Sequence, residues 1–74
     1  MKKGGFFVEI EVNGSKRQIN AGSTVLSLLN ELGITPEKVA VEHNMDILAR
    51  DRFGDTAITD GDKIEIIQFV GGGK

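Results

Sequence analysis

The residues with the clearest chemical potential are three consecutive glycines, Gly71, Gly72 and Gly73, close to the C-terminus of the 74-residue chain. They directly follow Phe69 and Val70, which end an apolar, β-type segment. Because glycine has no Cβ, we expect a slender, flexible arm that can thread a narrow channel and present a carboxylate to another protein. Its unhindered carbonyl is also what a sulfur nucleophile needs for attack. The alternative interpretation is an ordinary disordered end.

No other combination of residues indicates an active site. The sequence contains no cysteine, which excludes disulfides, thiol catalysis, zinc–thiolate sites and cysteine-bound iron–sulfur clusters. The single histidine, His43, cannot bind a metal without carboxylates, and we interpret it as a solvated turn residue beside Asn44. The sequence shows no nucleophile–base pair and no phosphate-binding loop followed by a helix. We therefore predict no bound cofactor, no metal and no enzymatic activity of its own.

Length and composition predict one small globular domain. Hydrophobic residues make up 39% of the chain and charged residues 27%, which is typical of a folded domain. The formal net charge is −2 with both signs interspersed, so we expect no nucleic-acid partner. No apolar run approaches the roughly 20 residues that cross a membrane, and the N-terminus lacks the apolar segment of a signal peptide. We expect a cytoplasmic protein.

The N-terminal third of the chain predicts a β-hairpin. Residues 6–12 alternate, with Val8 and Ile10 on one face and Phe7 and Glu9 on the other. The dipeptide Asn13-Gly14 is a strong hairpin signal, because type I′ turns need positive φ at both positions. A second strand over residues 16–20 should pair antiparallel with the first.

One amphipathic helix follows the hairpin. Four apolar residues at helical spacing form its buried face: Val25, Leu28, Leu29 and Leu32. Ser23 and Thr24 are suited to capping its N-terminus, and Gly33 is a natural residue just after its C-terminus. Pro36 prevents the helix from continuing.

The remaining pattern predicts three more strands, over residues 39–42, 47–48 and 63–70. Residues 50–56 read as a loop anchored by Phe53, and Asp60-Gly61-Asp62 as a sharp turn. This order favours an α+β fold of the β-grasp (ubiquitin-like) type, with a mixed four- to five-stranded sheet and one main helix on one face. The last strand should lie at the sheet centre, parallel to the first. Residues 1–70 would form the domain and residues 71–74 the flexible tail.

The sheet face opposite the helix should carry apolar side chains. Alternation places Phe7 on this outer face of the first strand, and Ile67 and Phe69 on the outer face of the last. Because these strands are expected to be neighbours, we predict that Phe7, Ile67 and Phe69 form one exposed patch that docks a partner.

Nearly the whole chain resembles the ThiS family of sulfur carriers in thiamine biosynthesis. The joint order of the motifs, ending in Phe-Val-Gly-Gly-Gly, is far more specific than any single one. The similar stretches are Val12-Asn13-Gly14, Thr24-Val25, Leu28-Leu29, Val39-Ala40-Val41-Glu42 with Asn44, Ile47-Leu48-Ala49-Arg50, Phe53, Asp60-Gly61-Asp62, and Ile64-Glu65-Ile66-Ile67-Gln68-Phe69-Val70-Gly71-Gly72-Gly73.

The resemblance implies that the chain is a protein co-substrate. In the family, an adenylating enzyme related to ubiquitin activators (ThiF type) uses ATP to convert the terminal glycine carboxylate into an acyl-adenylate. A persulfide, supplied through a cysteine desulfurase, then displaces AMP and leaves a thiocarboxylate, from which thiazole synthase (ThiG type) takes the sulfur. Residue by residue, this places the reactive carbonyl on Gly73, with Gly71 and Gly72 threading the arm.

The chain departs from the family pattern at Lys74, because the pattern ends at glycine. We interpret Lys74 as a residue that a peptidase removes before activation; alternatively it was added when the protein was produced, or the chain is not a substrate. Three other functions remain open. They are a carrier for molybdopterin synthesis, against which Phe69-Val70-Gly71 argues, a carrier for sulfur-amino-acid synthesis, and a β-grasp binding module.

Overall fold

A computed structural model describes residues 6–69, which fold into a five-stranded sheet with one α-helix. The elements in chain order are β1 (Phe7–Val12), β2 (Ser15–Asn20), α1 (Val25–Glu31), β3 (Val39–His43), β4 (Asp46–Leu48) and β5 (Lys63–Gln68), with short 3-10 helices at Pro36–Lys38 and Arg50–Arg52. The strand order across the sheet is β2-β1-β5-β3-β4. β5 runs parallel to β1, and the other neighbouring pairs are antiparallel. The predicted α+β fold, with the last strand at the centre, is confirmed.

The hairpin between β1 and β2 forms where the sequence predicts it. Asn13 and Gly14 have φ values of 50° and 85°, so both turn residues have the left-handed conformation of a type I′ turn. Val12 pairs with Ser15 across this turn, and Phe7 pairs with Asn20 at the far end. This pairing fixes which side chains of β1 face the core.

Both ends of α1 are closed by the residues that the sequence singles out. The Thr24 hydroxyl accepts from the Ser27 N–H at 3.1 Å, and the Ser27 hydroxyl accepts from the Thr24 N–H at 2.9 Å, which makes a reciprocal capping box. At the other end Gly33 has φ 74°, and the Ile34 N–H donates to the Leu29 carbonyl at 2.9 Å. This is a Schellman motif. Because a seven-residue helix is marginal alone, its packing must stabilise it.

The core lies between α1 and one face of the sheet. Its members come from alternate positions of the strands, from the buried side of α1 and from the long loop before β5. They are Ile10, Ile19, Val25, Leu28, Leu29, Val39, Val41, Phe53, Ile58, Ile64 and Ile66. Phe53 is 2% exposed, so its role as the anchor of the loop is confirmed. Within residues 6–69, no helix has the length and apolar character needed to cross a bilayer.

The turn between β3 and β4 is one residue later than the sequence suggests. His43 belongs to β3, where it pairs with Asp46 of β4 and Ile64 of β5. The turn residues are Asn44 and Met45, with φ values of 52° and 76°. The sequence signal was weak here because methionine is an unusual residue at positive φ.

Candidate functional site

The central strand β5 leads directly to the glycine segment. Its last hydrogen bond on the β3 side joins the Phe69 N–H to the Lys38 carbonyl at 3.0 Å. The predicted arm residues Gly71, Gly72 and Gly73 lie outside the described residues, together with Lys74. The structure therefore describes the base from which the arm starts, and the proposed roles of these four residues remain predictions.

The last strand alternates between core and exposed side chains as the sequence predicts. Ile64 and Ile66 are 0% and 9% exposed, whereas Ile67 and Phe69 are 49% and 55% exposed. Both exposed residues belong to the sheet face opposite α1, next to the point at which the chain continues towards the glycines. Large apolar side chains in such a position are suited to contact with another protein.

Phe7 does not join Ile67 and Phe69, and the prediction of one continuous patch is wrong. Glu11 pairs with Lys63 in the parallel ladder, so the register offset between β1 and β5 is 52 residues. On that register Phe7 is level with position 59, eight residues before Ile67. At about 3.3 Å per residue they are roughly 26 Å apart along the strands. Phe7 is 60% exposed at the opposite end of the sheet.

A different residue, Ile47 of β4, shares the outer face with Ile67 and Phe69. Ile47 is 79% exposed and pairs with Glu42 of β3, while Ile67 pairs with Ala40 two residues earlier in β3. We call Ile47, Ile67 and Phe69 the outer patch. Sequence reasoning missed Ile47 because a three-residue strand is too short to show alternation.

Two carboxylates lie within the same face. Glu42 of β3 and Glu65 of β5 are direct partners in the antiparallel ladder. Like charges at opposite positions of a ladder destabilise the pairing. The outer face of β3 and β5 therefore combines apolar side chains with one pair of carboxylates, a composition that fits an apolar partner surface with basic residues at its edge.

On the edge that faces β1, β5 is bonded both to β1 and to the side chain of Asn13. The Asn13 Oδ1 atom accepts from the Ile66 N–H at 2.7 Å, and Asn13 Nδ2 donates to the Ile66 carbonyl at 3.2 Å. The Asn13 backbone N–H also donates to the Ile64 carbonyl at 2.9 Å. The sequence indicates Asn13 only as a turn residue; its contact with β5 depends on tertiary structure.

His43 is not the solvated turn residue that the sequence suggests. Its Nε2 atom lies 2.8 Å from Oδ2 of Asp62, whose carboxylate also accepts from the Thr59 N–H at 2.9 Å and from Asn44 Nδ2 at 3.1 Å. Burial raises the pKa of Asp62, but the hydrogen bonds from Thr59, His43 and Asn44 outweigh it and lower that pKa to about 2. His43 pairs with Ile64, five residues before Phe69, so this network lies near the start of β5 and not at its end.

The fold and the described part of the site define a ubiquitin-like β-grasp protein whose central strand leads to a glycine segment. A model of the ThiS family matches residues 8–73, which is nearly the whole chain and ends at Gly73. The chain belongs to the ThiS family.

Relatives of known structure and name agree with this assignment. The ThiS thiamine biosynthesis protein of Geobacter metallireducens has a crystal structure that superposes with a TM-score of 0.78 at 35% identity, covering 89% of this chain and 100% of that one. The sulfur carrier protein ThiS of Escherichia coli is 32% identical over 66 residues, which are 89% of this chain and 100% of that protein.

The chain is also similar to part of a larger protein. A thiazole synthase of Paramagnetospirillum magneticum is 44% identical over 66 residues, which are 89% of this chain but 20% of that protein. The chain spans about a fifth of the length of the curated thiazole synthases it matches. In those relatives a ThiS-like segment is therefore part of the same polypeptide as the rest of a thiazole synthase.

Proposed function

We propose that this protein is a sulfur carrier for thiazole formation in thiamine biosynthesis, and that it serves as a co-substrate and not as an enzyme. The observation that carries the proposal is the ThiS family match, which runs through β5 and ends at Gly73. The position of β5 supports it, because β3 pairs with the strand as far as Gln68 and the Asn13 side chain bonds to Ile66 on the other edge, which gives a glycine arm a firm base. The sequence contains no cysteine, so the sulfur is not carried on a thiol of this chain, which is consistent with a carboxyl group of the glycine segment as the carrier.

The chemistry takes place at the carboxyl group of Gly73. A carboxylate oxygen attacks the α-phosphorus of ATP in an adenylating enzyme of the ThiF type, and pyrophosphate leaves. The terminal sulfur of a persulfide, formed with a cysteine desulfurase, then attacks the carbonyl carbon and displaces AMP. A second thiol breaks the resulting sulfur–sulfur bond, which leaves a thiocarboxylate on Gly73 and a disulfide on the donor. The displacement of AMP is the step at the carbonyl carbon, and glycine leaves that carbon unhindered because it has no Cβ.

Activation requires that Gly73 first loses Lys74. In the sequence Gly73 is followed by Lys74, so its carboxyl group is held in a peptide bond that ATP cannot adenylate. Hydrolysis of this bond by a peptidase adds water and releases the free Gly73 carboxylate. The family match ends at the same residue, which supports Gly73 as the new terminus.

The outer patch is proposed as the docking surface for the adenylating enzyme. Ile47, Ile67 and Phe69 are all about half exposed or more. Ile67 and Phe69 lie at the end of β5 that leads to the arm, and Ile47 lies on the same face two strands away. Thiazole synthase is proposed as the second partner, because curated thiazole synthases contain a segment similar to this chain. Phe7 is excluded from this surface by its distance along the sheet.

The first test is the intact mass of the protein isolated from its own cells without reducing agent. The proposal expects a species that lacks Lys74 and in which one oxygen is replaced by sulfur, an increase of about 16 Da, with fragmentation placing the change on Gly73. A population that always retains Lys74 and never carries sulfur would contradict the carrier function and favour a binding module.

The second test separates activation from processing. Three forms of the chain, ending at Gly72, Gly73 and Lys74, are incubated with an adenylating enzyme of the ThiF type and ATP, and pyrophosphate release is measured. Only the form ending at Gly73 should support turnover. Equal turnover with the form ending at Lys74 would show that trimming is unnecessary, and none with any form would refute adenylation.

A further inference from the structure

The Asn13 side chain hydrogen-bonds to β5 beyond the point at which β1 ends, in the place where a longer β1 would pair with it. The parallel ladder between β1 and β5 ends at the pair Val12 and Ile64, because β1 turns into the hairpin at Asn13. β5 continues to Gln68, four residues further. Asn13 bridges part of this gap by bonding through Oδ1 and Nδ2 to both backbone groups of Ile66.

The Asn13 hydrogen bonds affect how firmly the last residues of β5 before the arm are held in the sheet. On its other edge β5 pairs with β3 as far as Gln68, and the Phe69 N–H donates to the Lys38 carbonyl at 3.0 Å. Without the Asn13 carboxamide, the strand beyond Ile64 would be held by β3 alone. A strand with one neighbour opens more readily than a strand with two, because fewer hydrogen bonds oppose the opening.

We propose that Asn13 is a positioning residue for the C-terminal arm. By fixing Ile66, it sets the direction of the last residues of β5 and so the base from which the predicted arm enters the adenylating enzyme. This inference rests on the proposed function. Asn13 acts through the backbone of Ile66. Its loss should therefore lower kcat for adenylation, while docking through the outer patch is retained and KM is unchanged.

The chain offers a matched control at the other end of the same strand. Asn44 also lies at positive φ in a two-residue turn, and its Oδ1 atom accepts from the Lys63 N–H at 2.8 Å while its Nδ2 atom donates to Asp62. Replacement of Asn13 or Asn44 by glycine keeps the turn conformation and removes two side-chain hydrogen bonds at Asn13 and three at Asn44, the third being a contact of 3.4 Å with His43 Nε2. Only Asn13 is bonded to the part of β5 that leads to the arm.

The experiment compares Asn13→Gly, Asn13→Asp and Asn44→Gly, each made as the full chain and as the form ending at Gly73. Amide hydrogen exchange is measured at Ile66, and kcat and KM are measured by pyrophosphate release with the adenylating enzyme and ATP. Asn13→Gly should accelerate exchange at Ile66 about tenfold and lower kcat about fivefold, with KM within twofold of the wild-type value. Asn13→Asp, which keeps the acceptor for the Ile66 N–H but not the donor, should be intermediate.

Asn44→Gly should leave both Ile66 exchange and kcat within twofold of wild type, even where its free energy of unfolding falls as much as that of Asn13→Gly. Equal loss of kcat in both glycine variants would overturn the proposal, since a general loss of stability would then explain the effect. Unchanged kcat in Asn13→Gly would also overturn it. No turnover of the wild-type form ending at Gly73 would remove the proposed function and the positioning role together, a result distinct from either of these.

Discussion

The imidazole of His43 and the carboxylate of Asp62 are joined by a contact of 2.8 Å between Nε2 and Oδ2, across 19 residues of sequence. The contact ties the end of β3 to the turn that precedes β5. Asp62 is only 8% exposed, and Thr59 and Asn44 donate further hydrogen bonds to its carboxylate. The start of the central strand is therefore fixed by a buried charge that must remain ionised to keep its hydrogen bonds.

The first prediction concerns the dependence of stability on pH. The pKa of Asp62 is lowered from 3.8 to about 2 in the folded protein. A lowered pKa contributes stability that is present above 3.8 and is lost as the pH falls through 2. Asp62→Asn should therefore lower the free energy of unfolding by about 2 kcal/mol at pH 7, and the difference from wild type should shrink between pH 4 and pH 2.

Urea unfolding followed at pH 7, 4, 3 and 2 measures this difference. Asp46→Asn provides the control, because Asp46 is an exposed residue of the edge strand β4. If the free energies of unfolding of Asp62→Asn and wild type differed by the same amount at all four pH values, the lowered pKa of Asp62 would be contradicted.

The second prediction is that Met45→Gly stabilises the protein. Met45 has φ 76°, a left-handed conformation that costs a non-glycine residue about 1–2 kcal/mol. Its side chain is 84% exposed and so loses little packing when removed. After allowing for the greater freedom of glycine in the unfolded chain, the net gain should be about 0.5–1 kcal/mol in denaturant unfolding. Met45→Ala keeps a non-glycine residue in the left-handed conformation and should show no gain in the free energy of unfolding. An equal gain in Met45→Ala would show that removal of the methionine side chain, and not relief of the backbone conformation, stabilises the protein.

The third prediction distinguishes the two ends of the outer sheet face. Phe69→Asp should weaken binding to the adenylating enzyme at least tenfold, because it places a charge in the centre of an apolar contact. Phe7→Asp should change the affinity less than twofold, since Phe7 is level with position 59 and lies roughly 33 Å from Phe69 along the strands. Calorimetric titration measures both, with circular dichroism as the check on folding. An equal loss of affinity in Phe69→Asp and Phe7→Asp would contradict this prediction and would support one continuous patch that includes Phe7.

The fourth prediction concerns the opposed carboxylates of Glu42 and Glu65. Replacing one of them by lysine converts a like-charge pair into an opposite-charge pair in the same ladder position. Glu65→Lys should raise the free energy of unfolding by about 0.5 kcal/mol in low salt, and the gain should diminish in 1 M salt as the charges are screened. If the partner surface is basic, the same variant should bind it more weakly. A gain that is independent of salt would show that charge is not its cause.

Much of the fold could be predicted because the signals are local. Three local features are confirmed, and each depends only on residues a few positions apart in sequence. They are the Asn13-Gly14 turn, the Thr24 cap and the end of the helix at Gly33. Alternation in β5 also predicted correctly that Ile67 is exposed and Ile66 buried.

The candidate site was harder to predict because it depends on register and on distant contacts. Alternation fixes the face on which Phe7 lies but not its position along β5, so the single patch was wrong although each side chain was placed on the correct face. The bonds of Asn13 to Ile66 and of His43 to Asp62 join residues 53 and 19 positions apart, and no local pattern signals them.

The parallel pairing of β1 and β5 has a mechanical consequence. The described chain enters the sheet at Phe7, the start of β1, and leaves it at Phe69, after β5. Because β1 and β5 are parallel neighbours, these two points lie at opposite ends of the sheet. A partner that pulls on the chain beyond Phe69 loads β5 along its own axis. The hydrogen bonds to β1, β3 and Asn13 lie across that axis and resist together, in shear, whereas peeling would break them one after another. The parallel arrangement therefore makes the domain resistant to a pull directed along β5.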